Sequence, residues 1–239
     1  TACVVLAVLD EHLRPVAGTF RYADVVRDGM VVDYIGAIRI VREMKEELEE
    51  KLGSQLIYAA AAIPPGTDAL DSGAIKNVVQ GAGFEITALP DEPTAANAVL
   101  NIRNGAVVDI GGGTTGISVL KDGKVVYVAD EPTGGTHFSL VIAGAYKMSF
   151  ADAEIYKRDK KNHKELLPVL KPVIEKVSSI ISRHIEGREV DGIYLVGGTC
   201  CLTGIEGIIE KKTGIPTYKP GNPMFVTPLG IARNCTAQA

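Results

Sequence analysis

The feature that most constrains this chain is the run Val107-Val108-Asp109-Ile110-Gly111-Gly112-Gly113-Thr114-Thr115-Gly116-Ile117-Ser118-Val119-Leu120. An apolar strand carries an aspartate to its end, three glycines and two threonines turn the chain, and a second apolar strand leaves. Glycines let backbone amides approach an anion and point at it together, hydroxyls add donors, and a carboxylate holds a hydrated metal. The pattern predicts a phosphate loop between two strands. It differs from the dinucleotide fingerprint and the P-loop, which open a helix, and it lacks the P-loop lysine. A glycine-rich hairpin with no ligand fits the same letters, so the reading needs support from elsewhere in the chain.

Upstream of the loop, residues 3–9 read as a buried strand and 16–22 as a second one, turned by Asp10 to Pro15. Met30 to Asp33 follow Arg27-Asp28-Gly29 as a short third element. From Ile38 to Leu52 the apolar residues Val41, Met44, Leu48 and Leu52 recur at helical spacing, and Gly53 closes the helix. A strand over 56–63 ended by Pro64-Pro65-Gly66, a helix over 68–82 and a strand over 83–89 predict a partly parallel α/β sheet. Pro90 to Ala98 read as a helix start, with an acid at the cap and proline in the first turn; such a start needs no ligand. Then the plan of the first thirty residues returns: strand 106–110, then a hairpin of 117–120 and 125–128 turned by Asp122-Gly123. Aligning Thr1-Ala2 with Thr114-Thr115 predicts two similar half-folds, the first with its own strand and loop upstream of Thr1.

Downstream, Gly134-Gly135-Thr136 open an apolar helix over 138–148 with Thr136 as its cap, an arrangement that suits an anion and equally an ordinary capped helix. Residues 149–165 read as a polar excursion. A long helix follows with Leu170, Val173, Val177, Ile181 and Ile185 on one face, Pro168 and Pro172 near its start. Strand 193–196 leads to Gly197-Gly198-Thr199, helix 205–212 ends at Gly214, Thr217 to Lys219 form a short strand, and Pro228 to Ala232 a last helical turn.

The composition narrows the partners. A net charge of −4 gives no electrostatic case for nucleic acid or an anionic membrane, and the basic run over 157–164 is interrupted by an acid and suits a solvated face. Cys3, Cys200, Cys201 and Cys235 have no zinc-ligand spacing, so reduced, buried thiols in a cytoplasmic protein are expected. No apolar run reaches the length of a membrane span and no signal peptide is visible.

Three glycine turns (111–113, 134–135 and 197–198) fall at strand ends or helix starts, with Asp109 and Glu92 as acids near such ends. In an open α/β architecture these ends line a cleft. Amides for phosphates, Asp109 for hydrated Mg²⁺ and Glu92 for orienting a water suit a phosphate-rich nucleotide.

These residues resemble the actin-like ATPase superfamily, which includes the ATPase domain of the large heat-shock chaperones and the filament proteins MreB and FtsA. Asp109-Ile110-Gly111-Gly112-Gly113-Thr114-Thr115 is similar to its second phosphate loop, Glu92-Pro93-Thr94-Ala95-Ala96 to its first connecting helix, Leu195-Val196-Gly197-Gly198-Thr199 to its adenosine loop, and Pro228-Leu229-Gly230-Ile231-Ala232 to its second connecting helix. Residues 27–33 are similar to a segment of MreB and FtsA. Within the superfamily the chain most resembles the EutJ family of ethanolamine-utilisation proteins, described as chaperone-like and tied to bacterial microcompartment operons.

The resemblance implies an actin-like, ribonuclease H-like α/β fold of duplicated lobes with mixed sheets and reduced outer subdomains. One lobe would span 1–104 with 220–239 returning to it, and the other 105–219. It implies ATP or ADP with Mg²⁺ as ligands. Asp109 would hold Mg²⁺ through water and Glu92 the attacking water; Gly111, Gly112, Gly113, Thr114 and Thr115, completed by Gly134, Gly135 and Thr136, would cradle phosphates. Gly197, Gly198 and Thr199 would pack against the nucleoside, with Glu154 and Lys157 bordering ribose and adenine; a surface i, i+3 pair explains the latter two equally well. The partner would be a protein, either an ethanolamine-degrading enzyme or a microcompartment component, and the location cytoplasmic or microcompartment-associated. Two departures stand out. The first phosphate loop, Asp-x-Gly-Thr, is expected just before Thr1, and Gly116 stands where many relatives carry aspartate, so binding is better supported than hydrolysis. The competing readings are a filament-forming protein of MreB type, a kinase on the same fold and a nucleotide-free scaffold.

Overall fold

A computed structural model describes residues 3–23, 25–27, 30–63 and 69–236. The alignment at Thr1-Ala2, the Asp28-Gly29 turn and the Pro64 to Asp68 segment lie outside the described residues. The chain divides into two units, one of Thr1–Asn101 with Phe225–Ala239 and one of Ile102–Met224. The architecture is mixed α/β.

In the first unit, β1 (Val4–Leu9) and β2 (Pro15–Arg21) form an antiparallel hairpin. The Asp10 carboxylate shapes its turn by accepting the amides of His12 and Arg14, each at 2.9 Å. The short strands β3 (Val26–Arg27) and β4 (Met30–Val31) pair antiparallel. Helix α1 (Tyr34–Leu52) begins a turn earlier than periodicity predicts. Asp33, expected in an extended element, is instead its cap and accepts the Gly36 amide at 2.9 Å. Val41, Met44 and Leu48 are its buried stripe. Strand β5 (Tyr58–Ala60), helix α2 (Ala69–Gly81) and strand β6 (Glu85–Ala88) make the parallel unit expected from the sequence, with a shorter first strand. Helix α3 (Glu92–Leu100) is capped by Asp91, which accepts the Thr94 amide at 2.9 Å.

The second unit is built on a five-stranded mixed sheet. Strands β7 (Gly105–Ile110), β8 (Thr115–Lys121) and β9 (Lys124–Glu131) run antiparallel. Helices α4 (Gly135–Tyr146), α5 (Phe150–Arg158) and α6 (His163–Ile185) follow, then β10 (Ile193–Val196), α7 (Ile205–Thr213) and β11 (Thr217–Tyr218), in the sheet order β11-β10-β7-β8-β9. Alternation along the central strands puts Ala106, Val108, Ile110, Ile117, Val119, Ile193 and Leu195 into one cluster with Phe138 and Ile142 of α4 and Leu166, Leu170, Ile174 and Ile181 of α6. Each fully buried aliphatic or aromatic side chain there contributes about 1.5–3 kcal/mol. Helix α8 (Val226–Arg233) returns to the first unit and packs on α3, where Arg233 donates to the Ala98 carbonyl at 2.7 Å.

Three expectations change. Residues 149–165 are not an excursion: Ser149 caps α5 through the Asp152 amide, and α5 escapes a periodicity reading because Ala153 is its one fully buried residue. Pro168 and Pro172 sit inside α6, which starts at His163. Four residues apart, both lie on the exposed stripe, the face on which carbonyls left open by a missing N–H are least costly. The described cysteines are all free thiols, but only Cys200 is fully buried; Cys3, Cys201 and Cys235 are half-buried.

Candidate functional site

The loop between β7 and β8 is held from behind by its own carbonyls. The Gly111 amide donates to the Thr114 carbonyl at 3.0 Å and closes the turn. The Gly111 carbonyl accepts the Gly135 amide at 2.9 Å and the Thr199 hydroxyl at 2.7 Å. The Gly112 carbonyl accepts the Thr136 amide at 2.8 Å and its hydroxyl at 2.9 Å. The turns at 111–113, 134–136 and 197–199 are therefore one assembly. Among the described residues the amides of Gly112, Gly113 and Thr114 and the Thr114 hydroxyl donate to no protein acceptor.

The close approach demands glycine at two points. A Cβ on Gly134 would stand 2.7 Å from the Gly113 carbonyl carbon and 2.8 Å from the Thr114 nitrogen. Gly197 has φ +93°, and a Cβ there would meet Asp109 Oδ1 at 2.3 Å. The cap of α4 is Gly134, not Thr136, which lies inside the helix and spends its hydroxyl on Gly112. The partial positive charge of this 12-residue helix adjoins the phosphate-type loop.

The predicted threonines divide by role. Thr115 is fully buried and donates to the Thr133 carbonyl at 2.6 Å, so its hydroxyl pins the start of β8. Thr136 and Thr199 brace loop carbonyls. Gly198 starts the short 3₁₀ turn Gly198–Cys201. Asp109 stands one residue before the end of β7, opposite Gly116 on β8 and Val196 on β10. The thiol of Cys200 is pushed well above its ordinary range, first by burial and then by the charge of Asp109. Glu92 is the one predicted site residue on the other unit, the first residue of α3, and its amide donates to the Ile63 carbonyl at 3.1 Å.

Glu154 and Lys157 form an ion pair at 2.7 Å against the first turn of α4. Lys157 Nζ also donates to the Gly135 carbonyl at 2.8 Å and to Ser139 Oγ at 2.7 Å, while Ser139 donates to Glu154. The other Glu154 oxygen accepts from Arg158 at 2.7 Å. Burial pulls the Lys157 ammonium below the usual lysine range, against the opposing pull of Glu154. Burial would raise Glu154, but the charge and hydrogen bond of Lys157, the Ser139 hydroxyl and Arg158 outweigh it and hold the carboxyl below its ordinary value. Each partner is paired and hydrogen-bonded, the condition under which charges persist in a buried place.

Two participants escape a reading of the sequence. Asp130 on β9 pairs in register with Gly116, and its Oδ1 lies 3.9 Å from where a Gly116 Cβ would stand, with the Asp109 Cβ at 4.0 Å. Its signal was the hairpin register, which carries positions 109, 116 and 130 across three strands on one face. His163 accepts the Thr203 amide at Nδ1 (3.1 Å) and donates from Nε2 to the Lys157 carbonyl (3.1 Å), pinning the end of α5. Among the described residues no group of three or more His, Cys, Asp or Glu side chains is arranged to hold a metal, and no helix is long and apolar enough to cross a membrane.

Residues 82–224 match the family model of the type IV pilus assembly protein PilM. The ethanolamine utilization protein EutJ of Salmonella typhimurium is 45% identical over 240 residues, covering 100% of this chain and 84% of that protein. The crystal structure of EutJ from Carboxydothermus hydrogenoformans superposes with a TM-score of 0.94 at 51% identity, covering 97% of this chain and 86% of the other. MreB5 of Spiroplasma citri, solved bound to ADP, shares the fold at a TM-score of 0.71 and 18% identity, over 95% of this chain and 86% of the other. The chain belongs to the EutJ family of ethanolamine utilization proteins, within the actin-like ATPase superfamily.

Proposed function

We propose that this protein binds ATP and ADP with Mg²⁺ at the loop assembly of the second unit, and that its nucleotide state acts on a protein partner in ethanolamine utilisation. The observation that carries the reading is that, among the described residues, the amides of Gly112, Gly113 and Thr114 have no protein acceptor, in a loop whose carbonyls at Gly111 and Gly112 are already anchored. An unspent row of donors beside a helix N-terminus suits a polyphosphate. Gly134, Gly135 and Thr136 would shape the phosphate side, and Gly197, Gly198 and Thr199 the nucleoside side.

The carboxylates fit a hard cation that keeps most of its waters, which takes one or two carboxylates plus substrate phosphates. Asp109 would hold hydrated Mg²⁺, with Asp130 the acid nearest Gly116. When bound, Mg²⁺ would neutralise phosphate charge. Glu92 would orient a water. Residues 1–104 with 220–239 and residues 105–219 would be the two lobes whose angle responds to nucleotide. With glycine at 116 binding is the primary activity and turnover slow. The reading places the protein in the cytoplasm, with an ethanolamine-degrading enzyme or a microcompartment component as partner.

Isothermal titration of the full-length protein with Mg-ATP and Mg-ADP tests the site. Saturable binding that Asp109→Ala weakens is expected; no binding, or binding indifferent to the substitution, overturns the assignment.

A further inference from the structure

The Glu154-x-x-Lys157 pair resembles a nucleoside contact in sequence, yet its geometry gives it other work. An ammonium has three protons. Lys157 donates to the Gly135 carbonyl, Ser139 Oγ and Glu154 Oε1 at 2.8, 2.7 and 2.7 Å, so none is left over. Its side chain is 13% exposed. Glu154 accepts from Lys157 and Ser139 through one oxygen and from Arg158 through the other, so it holds the ammonium in place while keeping one acceptor site on Oε2.

What these bonds hold is the start of α4. Gly135 receives Lys157 on its carbonyl and gives its amide to the Gly111 carbonyl, and Thr136 beside it gives its amide to Gly112. The chain of contacts runs from α5, through one buried ammonium, to the back of the phosphate-type loop. His163 fixes the same lysine's backbone by donating from Nε2 to its carbonyl at 3.1 Å.

We infer that Lys157 is a positioning residue for phosphate recognition, locking α5 to the Gly134–Thr136 turn, and is not a contact to the base or ribose. The ligand side of this inference rests on the nucleotide reading above; the geometric side does not. Neutralising Lys157 therefore loosens the turn and weakens every polyphosphate alike, whether or not a nucleoside is attached.

The test uses the full chain with Lys157→Met, which keeps the apolar stem, and Ser139→Ala, which removes one acceptor without stranding a charge. Amide hydrogen exchange of the unliganded proteins comes first. Faster exchange at Gly135 and Thr136 by about tenfold or more in Lys157→Met, with a smaller effect in Ser139→Ala and no change at Val107 and Val108, is expected for local loosening. Unchanged exchange at Gly135 and Thr136 overturns the inference, as does uniform acceleration across the sheet, which would mark global destabilisation. Titrations with Mg-ADP and with magnesium pyrophosphate follow. Equal fold-losses for both probes in Lys157→Met support positioning, whereas loss for ADP alone shows a nucleoside contact and overturns it. If the unsubstituted protein binds neither probe, the nucleotide reading fails, and hydrogen exchange still decides the role of Lys157.

Discussion

The Thr199 hydroxyl donates to the Gly111 carbonyl across 2.7 Å, joining residues 88 positions apart. That carbonyl also takes the Gly135 amide at 2.9 Å, so three glycine turns meet at one oxygen. Thr199→Val keeps the shape and removes one of its two donors. Because the Gly135 amide stays, the carbonyl is not orphaned, and the loss is that of one net hydrogen bond, about 1 kcal/mol. Urea unfolding with an unchanged slope checks it. Nucleotide affinity should fall with stability, since the loop is freed on one side.

Gly134→Ala should act very differently from Gly144→Ala, although both place one methyl on or beside the same helix. At 134 the new carbon would stand 2.7 to 2.9 Å from backbone atoms of Gly112, Gly113 and Thr114, which have no side-chain freedom to yield. The loop must move, and Mg-ADP affinity should drop by about tenfold or more, a cost of about 1.4 kcal/mol or greater. At 144, inside α4, nothing lies within 4 Å, and alanine should stabilise the protein by about 0.5–1 kcal/mol with binding unchanged. Thermal melts and titrations of the two variants separate packing from propensity.

The local parts of this site were legible because they are local. Apolar strands on either side of Asp109 and Gly111-Gly112-Gly113 announce themselves within a dozen residues, and Asp91 before Glu92-Pro93 announces a helix. A threonine at a helix start reads as a cap for its neighbours, but the Thr136 hydroxyl reaches Gly112, 24 positions away. Glu154 and Lys157 were visible as a pair, but Ser139 and the Gly135 carbonyl, which consume the lysine, belong to another helix. Asp130 was hidden because its proximity to Gly116 depends on hairpin register, and a one-residue slip would put it on the opposite face. The prolines of α6 misled for a further reason: burial of ten residues along that helix outweighs two missing hydrogen bonds on its wet side.

Asp109→Asn and Asp130→Asn should separate metal-dependent from metal-independent nucleotide binding. If Asp109 holds hydrated Mg²⁺, its amide variant binds ADP with the same weak affinity in Mg²⁺ and in EDTA. Asp130, exposed and set across Gly116, should account for a smaller part, leaving a reduced but measurable Mg²⁺ effect. Single-charge contacts at exposed positions are strongly screened, so the Asp130 effect should shrink further at high salt. Titrations in Mg²⁺ and in EDTA at two ionic strengths give the result, and an unchanged Mg²⁺ dependence in Asp109→Asn would remove that residue from the metal side.

His163 predicts a pH dependence of stability with a definite sign. Burial, its first cause, pushes the imidazole below its ordinary 6.5, and the charges of Lys160 and Lys219 push the same way, against the Lys157 carbonyl and Asp159. Nδ1 must stay unprotonated to accept the Thr203 amide, so the folded protein favours the neutral ring. The unfolded chain then binds the proton more readily, and stability rises with pH wherever it does so. The histidine's contribution is complete above pH 6.5 and is lost as pH falls from there through the depressed folded value. Urea unfolding between about pH 5 and about pH 8 should show this slope. His163→Gln should be less stable at neutral pH yet flatter across the window, because glutamine can accept and donate but cannot titrate. A variant with the full slope would assign it to another group. A flat profile in the unsubstituted protein would mean that Thr203 and the Lys157 carbonyl adapt to the protonated ring.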